Sequence, residues 1–210
     1  MSITYPLSLP TNKSPAQVTM RSVNIVSENR SPFSGVRQVY VHQGKWWEAE
    51  VTLPPMNRAD AEQWISFLVK LGGKEGTFLM GDPSATTPRG SAATAPGTPL
   101  VNGASQTGDE LVIDGCPNSA TGYLLAGDYI QLGTGASSFL FKVVDDANTD
   151  GSGNLTVTVW PDLNTRNQPL NNAAVTVTSA KGLWALNLNS PDWNAAPFDY
   201  GVTFPAIGIV

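Results

Sequence analysis

Residues 53–82, LPPMNRADAEQWISFLVKLGGKEGTFLMGD, decide the fold class, because they hold the one strong helical signal in a chain that otherwise reads as strands and turns. Ala61, Trp64, Ile65, Leu68, Val69 and Leu71 recur at three- and four-residue spacing, which gathers them on one face. Arg58, Asp60, Glu62, Gln63, Ser66 and Lys70 lie mostly opposite. Asn57 has the side chain of an N-cap, Asp60 suits the positive end of the helix dipole, and Gly72-Gly73 supplies a stop. The spacing therefore predicts one amphipathic helix, about 57–71, packed on a sheet built from the strands around it.

Upstream, Pro6, Pro10 and Pro15 among Ser, Thr and Asn predict an extended arm over residues 1–15, of a kind that often lies on a neighbour. Gln17–Ile25 alternates imperfectly, which predicts a strand covered on both faces. Val36–His42 and Lys45–Leu53 read as strands with Gln43-Gly44 at the tip of a hairpin between them. In the second, Trp47, Ala49, Val51 and Leu53 form an apolar face, and Trp46 falls on the charged side with Glu48 and Glu50.

After the short strand Gly76–Met80 the character of the chain changes. Residues 82–98, DPSATTPRGSAATAPGT, have no periodicity and read as a low-complexity linker. Short strands follow at Pro99–Asn102, Glu110–Asp114, Asp128–Leu132, Ser138–Val144, Leu155–Trp160 and Ala174–Thr178, joined by Gly- and Asp-rich turns. That spacing predicts a small closed or nearly closed antiparallel barrel of OB or SH3 type. Lys181–Leu188, Phe198–Phe204 and Pro205–Val210 resemble the first eighty residues in composition and are expected to complete their sheet. The reading is a mainly β protein: a β-sandwich or sheet domain (1–82 with 183–210), a linker (83–98) and an inserted barrel (99–182).

Composition narrows the function. Twelve basic and seventeen acidic residues give a charge of -5 with no basic cluster, which disfavours nucleic-acid binding. Cys116 is the single cysteine and His42 the single histidine, so Cys-rich zinc sites and His-based metal clusters are excluded. His42 reads as a solvated residue near a hairpin tip. The nucleophile elbow, P-loop and dinucleotide fingerprints do not occur, and Glu48/Glu50 are explained by a solvated strand face, so no enzyme, catalytic residue or cofactor is expected. Met1–Pro10 lacks a signal-peptide pattern and no apolar run is long enough to cross a bilayer, which predicts synthesis in a cytoplasm and no membrane insertion.

Two weaker signals concern ligands. Asp146, Asn148 and Asp150, followed by Gly151, match the first half of a calcium loop, but Val157 stands where a bidentate glutamate belongs, and a polar hairpin turn explains the same letters. Trp46, Trp160, Trp184 and Trp193 fall at predicted strand edges or loops, where an indole can stack on a sugar or fill a partner's pocket. Trp47 and Trp64 read as core.

The stretch LPPMNRADAEQWISFLVKLGGKEGTFLMGDPSATTPRG resembles phage minor tail proteins with a helix of the form AEAW..FL..L.G..G.FL.GDP ahead of an insertion. GASQTGDELVIDG, LLAGDYIQLG, LFKVVDD and VTVWPDL are similar to the accessory barrel of the distal tail proteins of long-tailed bacteriophages. The resemblance implies a virion protein at the tail tip: a homo-hexameric ring joining the tail tube protein to the hub and fibre proteins. Its first domain would close the ring around the channel, and its insertion would project outward. The alternative is a carbohydrate-binding module, in which the barrel recognises a host surface glycan through Trp160 or a neighbour.

Overall fold

The computed structural model describes residues 3–195 and 200–209. The first eighty residues supply β1 (Leu7–Ser8), β2 (Gln17–Arg30), β3 (Arg37–Thr52), α1 (Arg58–Leu71) and β4 (Thr77–Met80). The middle supplies β5 (Leu100–Val101), β6 (Gly108–Asp114), β7 (Tyr129–Leu132), β8 (Phe139–Val143), β9 (Leu155–Leu163) and β10 (Val175–Thr176). Then come β11 (Gly182–Leu186), β12 (Asn194–Ala195), β13 (Tyr200–Gly201) and β14 (Thr203–Gly208).

One six-stranded sheet has the order β1-β4-β11-β14-β3-β2, antiparallel except for β1 against β4. The C-terminal strands β11 and β14 thus lie side by side between N-terminal strands within one sheet. The other sheet, β10-β7-β8-β9-β6-β5, nearly closes on itself: Val175 N donates to Pro99 O and Val101 N to Ala173 O across the seam. The protein is mainly β, with one helix and a barrel-like second sheet.

Helix α1 begins where Asn57 Oδ1 accepts from Asp60 N at 3.0 Å and ends at Gly72, left-handed at φ 61. It lays Trp64, Phe67, Leu68 and Leu71 on the sheet face that carries Phe78 and Phe204, with ring centroids 5.6 Å apart for Phe67–Phe78 and 6.2 Å for Trp64–Phe204. Two helical positions depart from the sequence reading. Val69 faces solvent and Phe67 is buried, because the stripe drifts as the helix crosses the sheet. Farther along the same sheet face, Leu140 and Tyr129 of the barrel take over from the helix against Trp47 and Trp184.

Several expectations are corrected. The N-terminal arm lies on its own sheet as β1: Tyr5 OH donates to Lys70 O at 2.7 Å and Leu7 and Leu9 join the core. The segment 82–98 is a packed strap. Arg89 N donates to the buried Asp128 at 2.7 Å, Arg89 Nη1 to Ala126 O, Ser91 N and Ala92 N to the 122–123 backbone, and Tyr123 OH to Pro96 O. A side chain at Gly90 would stand 2.3 Å from Tyr123 O, so the low-complexity letters are small residues fitted against a wall. The last stretch forms one strand through Pro205, whereas Phe198 and Val210 lie outside the described residues.

Trp184 is 1% exposed, and its Nε1 donates to Met80 O at 2.8 Å; Trp64 is fully buried with an Nε1 that has no partner among the described residues. Trp184→Phe strands a carbonyl that Trp64→Phe does not, so it should cost about 1 kcal/mol more. Urea unfolding of the two variants checks this ordering.

Candidate interaction surface

Strands β2 and β3 form a hairpin far longer than its sheet. The turn is at Ser31–Val36: Ser31 N donates to Val36 O, Gly35 N to Ser31 O, and Ser31 Oγ accepts from Ser34 N. Gln43-Gly44, expected as the tip, lies inside β3, and the hairpin expected there does not exist. The physical reason is a bulge. Asn24 pairs with Lys45 and Val26 with Val41, so Ile25 alone opposes His42, Gln43 and Gly44. A Cβ on Gly44 would fall 2.6 Å from Ile25 Cδ1, so the glycine provides room for the isoleucine that crosses it.

The bulge separates a supported root from an unsupported arm. In the root, Val18, Met20, Trp47, Ala49 and Val51 face α1 and the barrel, while Arg21, Glu48 and Glu50 face the other way. Beyond the bulge, Val26, Val39 and Val41 continue the first face and Ile25 and Tyr40 the second. All are exposed, as are Val36 and, at 97%, Phe33 in the turn. Among the described residues, seven of the twelve exposed large apolar side chains lie between Ile25 and Val41. The strand expected over Gln17–Ile25 to be covered on both faces runs on to Arg30 and is exposed from Asn24 onward. Such a ribbon, with exposed apolar side chains among polar ones on both faces, is a candidate surface for a partner to cover.

His42 sits in this arm, not at a tip: its Nε2 is 3.1 Å from Ser27 Oγ and Tyr40 packs edge-on at 4.8 Å. The root is locked to the barrel. Trp47 Nε1 donates to Leu140 O at 3.0 Å, Lys45 Nζ reaches Asp162 at 2.6 Å, and Trp160 Nε1 donates to Asn24 Oδ1 at 3.1 Å.

The tryptophans expected as contact residues scatter. Trp184 is corrected outright: β11 is central in its sheet and buried along its whole length, so that indole reaches no ligand. Trp160 is half-buried inside β9, against Trp47 at 4.3 Å. Trp46 is half-buried on the polar sheet face, with Nε1 3.3 Å from Glu48 Oε1. Trp193 is exposed at 41%, beside β12.

Asp146, Asn148 and Asp150 do not converge. Asp146 Oδ1 accepts from Ala126 N, Asn148 Oδ1 from Gly122 N, and Asp150 from Ser152 N and Asn154 N and Nδ2. The first two tie the loop after β8 to residues 122–126; the third builds its own turn. Those hydrogen bonds hold the Asp150 carboxyl below its usual range. Elsewhere, burial raises Tyr123 and Cys116, and raises Tyr129 against the opposing pull of Lys142.

The sequence reading misses the arm because it ends the first strand at Ile25 and takes Gln43-Gly44 for the hairpin tip, whereas the strands run on to Arg30 and from Arg37. The letters SPFSG at 31–35 were the turn signal available. Compared with known proteins, the sequence matches no family model and no curated protein.

Val26→Thr, Val39→Thr and Val41→Thr should each shift stability by no more than about 0.5 kcal/mol, whereas Val51→Thr, at a fully buried position, should cost roughly 1–3 kcal/mol. Denaturant midpoints check the contrast. The folded pKa of Asp150 is depressed, so its turn is strengthened above the ordinary carboxylate pKa and loosens as pH falls through the lowered value. Protection of the Ser152 and Asn154 amides, taken relative to their intrinsic exchange rates at each pH, should fall there, and Asp150→Asn should remove that pH dependence.

Proposed function

We propose that this chain is a structural component of the tail tip of a long-tailed bacteriophage, in which copies join head to tail into a ring, the resemblance implying a hexamer. The observation that carries the reading is the β2–β3 arm, which carries exposed apolar side chains on both faces and is uncovered by its own chain. A closed ring needs two different patches on each subunit, and β2 lies at one edge of the sheet while β1 lies at the other. The root of the sheet face away from α1 carries Arg21, Glu48, Glu50 and Thr52, a polar surface fit to border a water-filled channel. With a net charge of -5, that channel would let DNA pass without retention. In this reading the ring connects the tail tube protein to hub and fibre proteins, the barrel stands on its outside, and the protein resides in the virion after synthesis in the host bacterium.

Light scattering coupled to size exclusion should give six times the 22.2 kDa subunit mass at high concentration or in the presence of the tube. The combined Val26, Val39 and Val41→Thr variant should lose assembly by about tenfold or more in midpoint concentration while staying folded. Absence of the protein from purified particles would sink the proposal.

A further inference from the structure

A groove of about 570 Å³ runs between the root of the hairpin and the barrel. Its size falls in the range of small-molecule sites. It is lined by Ser22 and Asn24 of β2, Trp47 of β3, Tyr129 of β7, Lys142 of β8 and Trp160 of β9. It lies at the root of β2, whereas the ring reading above rests on the apolar side chains of the arm beyond the bulge.

Three observations give the groove a chemical character. Trp160 is immobilised: its Nε1 donates to Asn24 Oδ1 and its ring stands at 79° to Trp47, so an aromatic surface is held in place before any ligand arrives. Asn24 then has its amide N–H groups directed to no acceptor among the described residues. Lys142 Nζ donates to Tyr129 OH at 3.1 Å and lies 4.5 Å above that ring, yet no carboxylate is within 4.0 Å of it among the described residues. By contrast, Lys45 at the same joint is paired with Asp162.

An aromatic platform beside fixed N–H donors matches a pyranose, which has an apolar C–H face and a rim of hydroxyl acceptors. An ammonium in direct contact with no carboxylate among the described residues, the acidic influence here being that of Asp82 on the Tyr129 hydroxyl, adds a preference for an acidic substituent. We propose that the groove binds a saccharide containing a uronic acid, the sugar packing on Trp160, its hydroxyls accepting from Asn24, and its carboxylate pairing with Lys142.

Isothermal titration of the full chain with a galacturonic acid trisaccharide and with its neutral galactose counterpart tests this. The acidic sugar should bind about tenfold tighter than the neutral one, the value of one charge-assisted hydrogen bond. Lys142→Met should abolish that difference while leaving the neutral sugar's affinity unchanged. Asn24→Ala should weaken both sugars several-fold, and Asn24→Asp, which keeps an acceptor for Trp160 Nε1 and removes the N–H donors, should weaken the neutral sugar likewise where Asn24→Ala lowers the unfolding midpoint. No binding of either sugar at about 10 mM, equal affinity for the two, or affinities indifferent to Lys142 and Asn24 would each overturn the proposal. Titrating the arm-substituted variant keeps the result separate from assembly.

Discussion

The placement of every other part depends on the indole of Trp47. It lies on β3 at the level where the strand leaves the sheet, 6% exposed, donating to Leu140 O of β8 and packed against Trp160 of β9. A buried N–H without a partner costs roughly 1–3 kcal/mol, and Leu140 O supplies that partner only when the barrel is seated against the sheet. Gly208 lies beside it, where a Cβ would come within 3.0 Å of Trp47 Cβ, so the C-terminal strand fits tightly as well. One side chain therefore joins the N-terminal hairpin, the middle barrel and the C-terminal strand.

The hairpin divides at that joint. Inside it, specific contacts tie the strands to the barrel: the ion pair of Lys45 with Asp162 and the hydrogen bond of Trp160 to Asn24. Outside it, the strands hold only each other, helped by the exposed ion pair Arg37–Glu28 at 3.1 Å, which contributes little in water. A two-stranded ribbon is marginal by itself. The bulge at His42–Gly44 and the charges of Arg30 and Arg37 disrupt a flat edge that would otherwise invite unspecific pairing. Those features fit an arm kept soluble until a specific surface covers it.

The same joint creates the groove. A barrel standing beside a projecting ribbon leaves a cleft between them, and residues 22, 24, 142 and 160, far apart in sequence, meet there. None of the four has a neighbour in the chain that marks it. Trp160 was visible as an aromatic at a strand end, but its orientation came from Asn24, at a separation of 136 residues.

The sequence by itself determined the local elements: helix 58–71 with its Asn57 cap and glycine stop, the strand positions of the barrel to within a few residues, and the return of the C-terminal strands to the first sheet. These follow from side-chain periodicity and capping, which act over a few residues. Tertiary structure decided what periodicity cannot carry. It made Trp184 core, because β4 and β14 flank its strand, and turned the linker into a strap, because residues 122–128 offered backbone partners. It also ran β3 straight through Gln43-Gly44. An alternating pattern says that a face is apolar, but only the position of distant strands says whether the chain covers that face or leaves it bare.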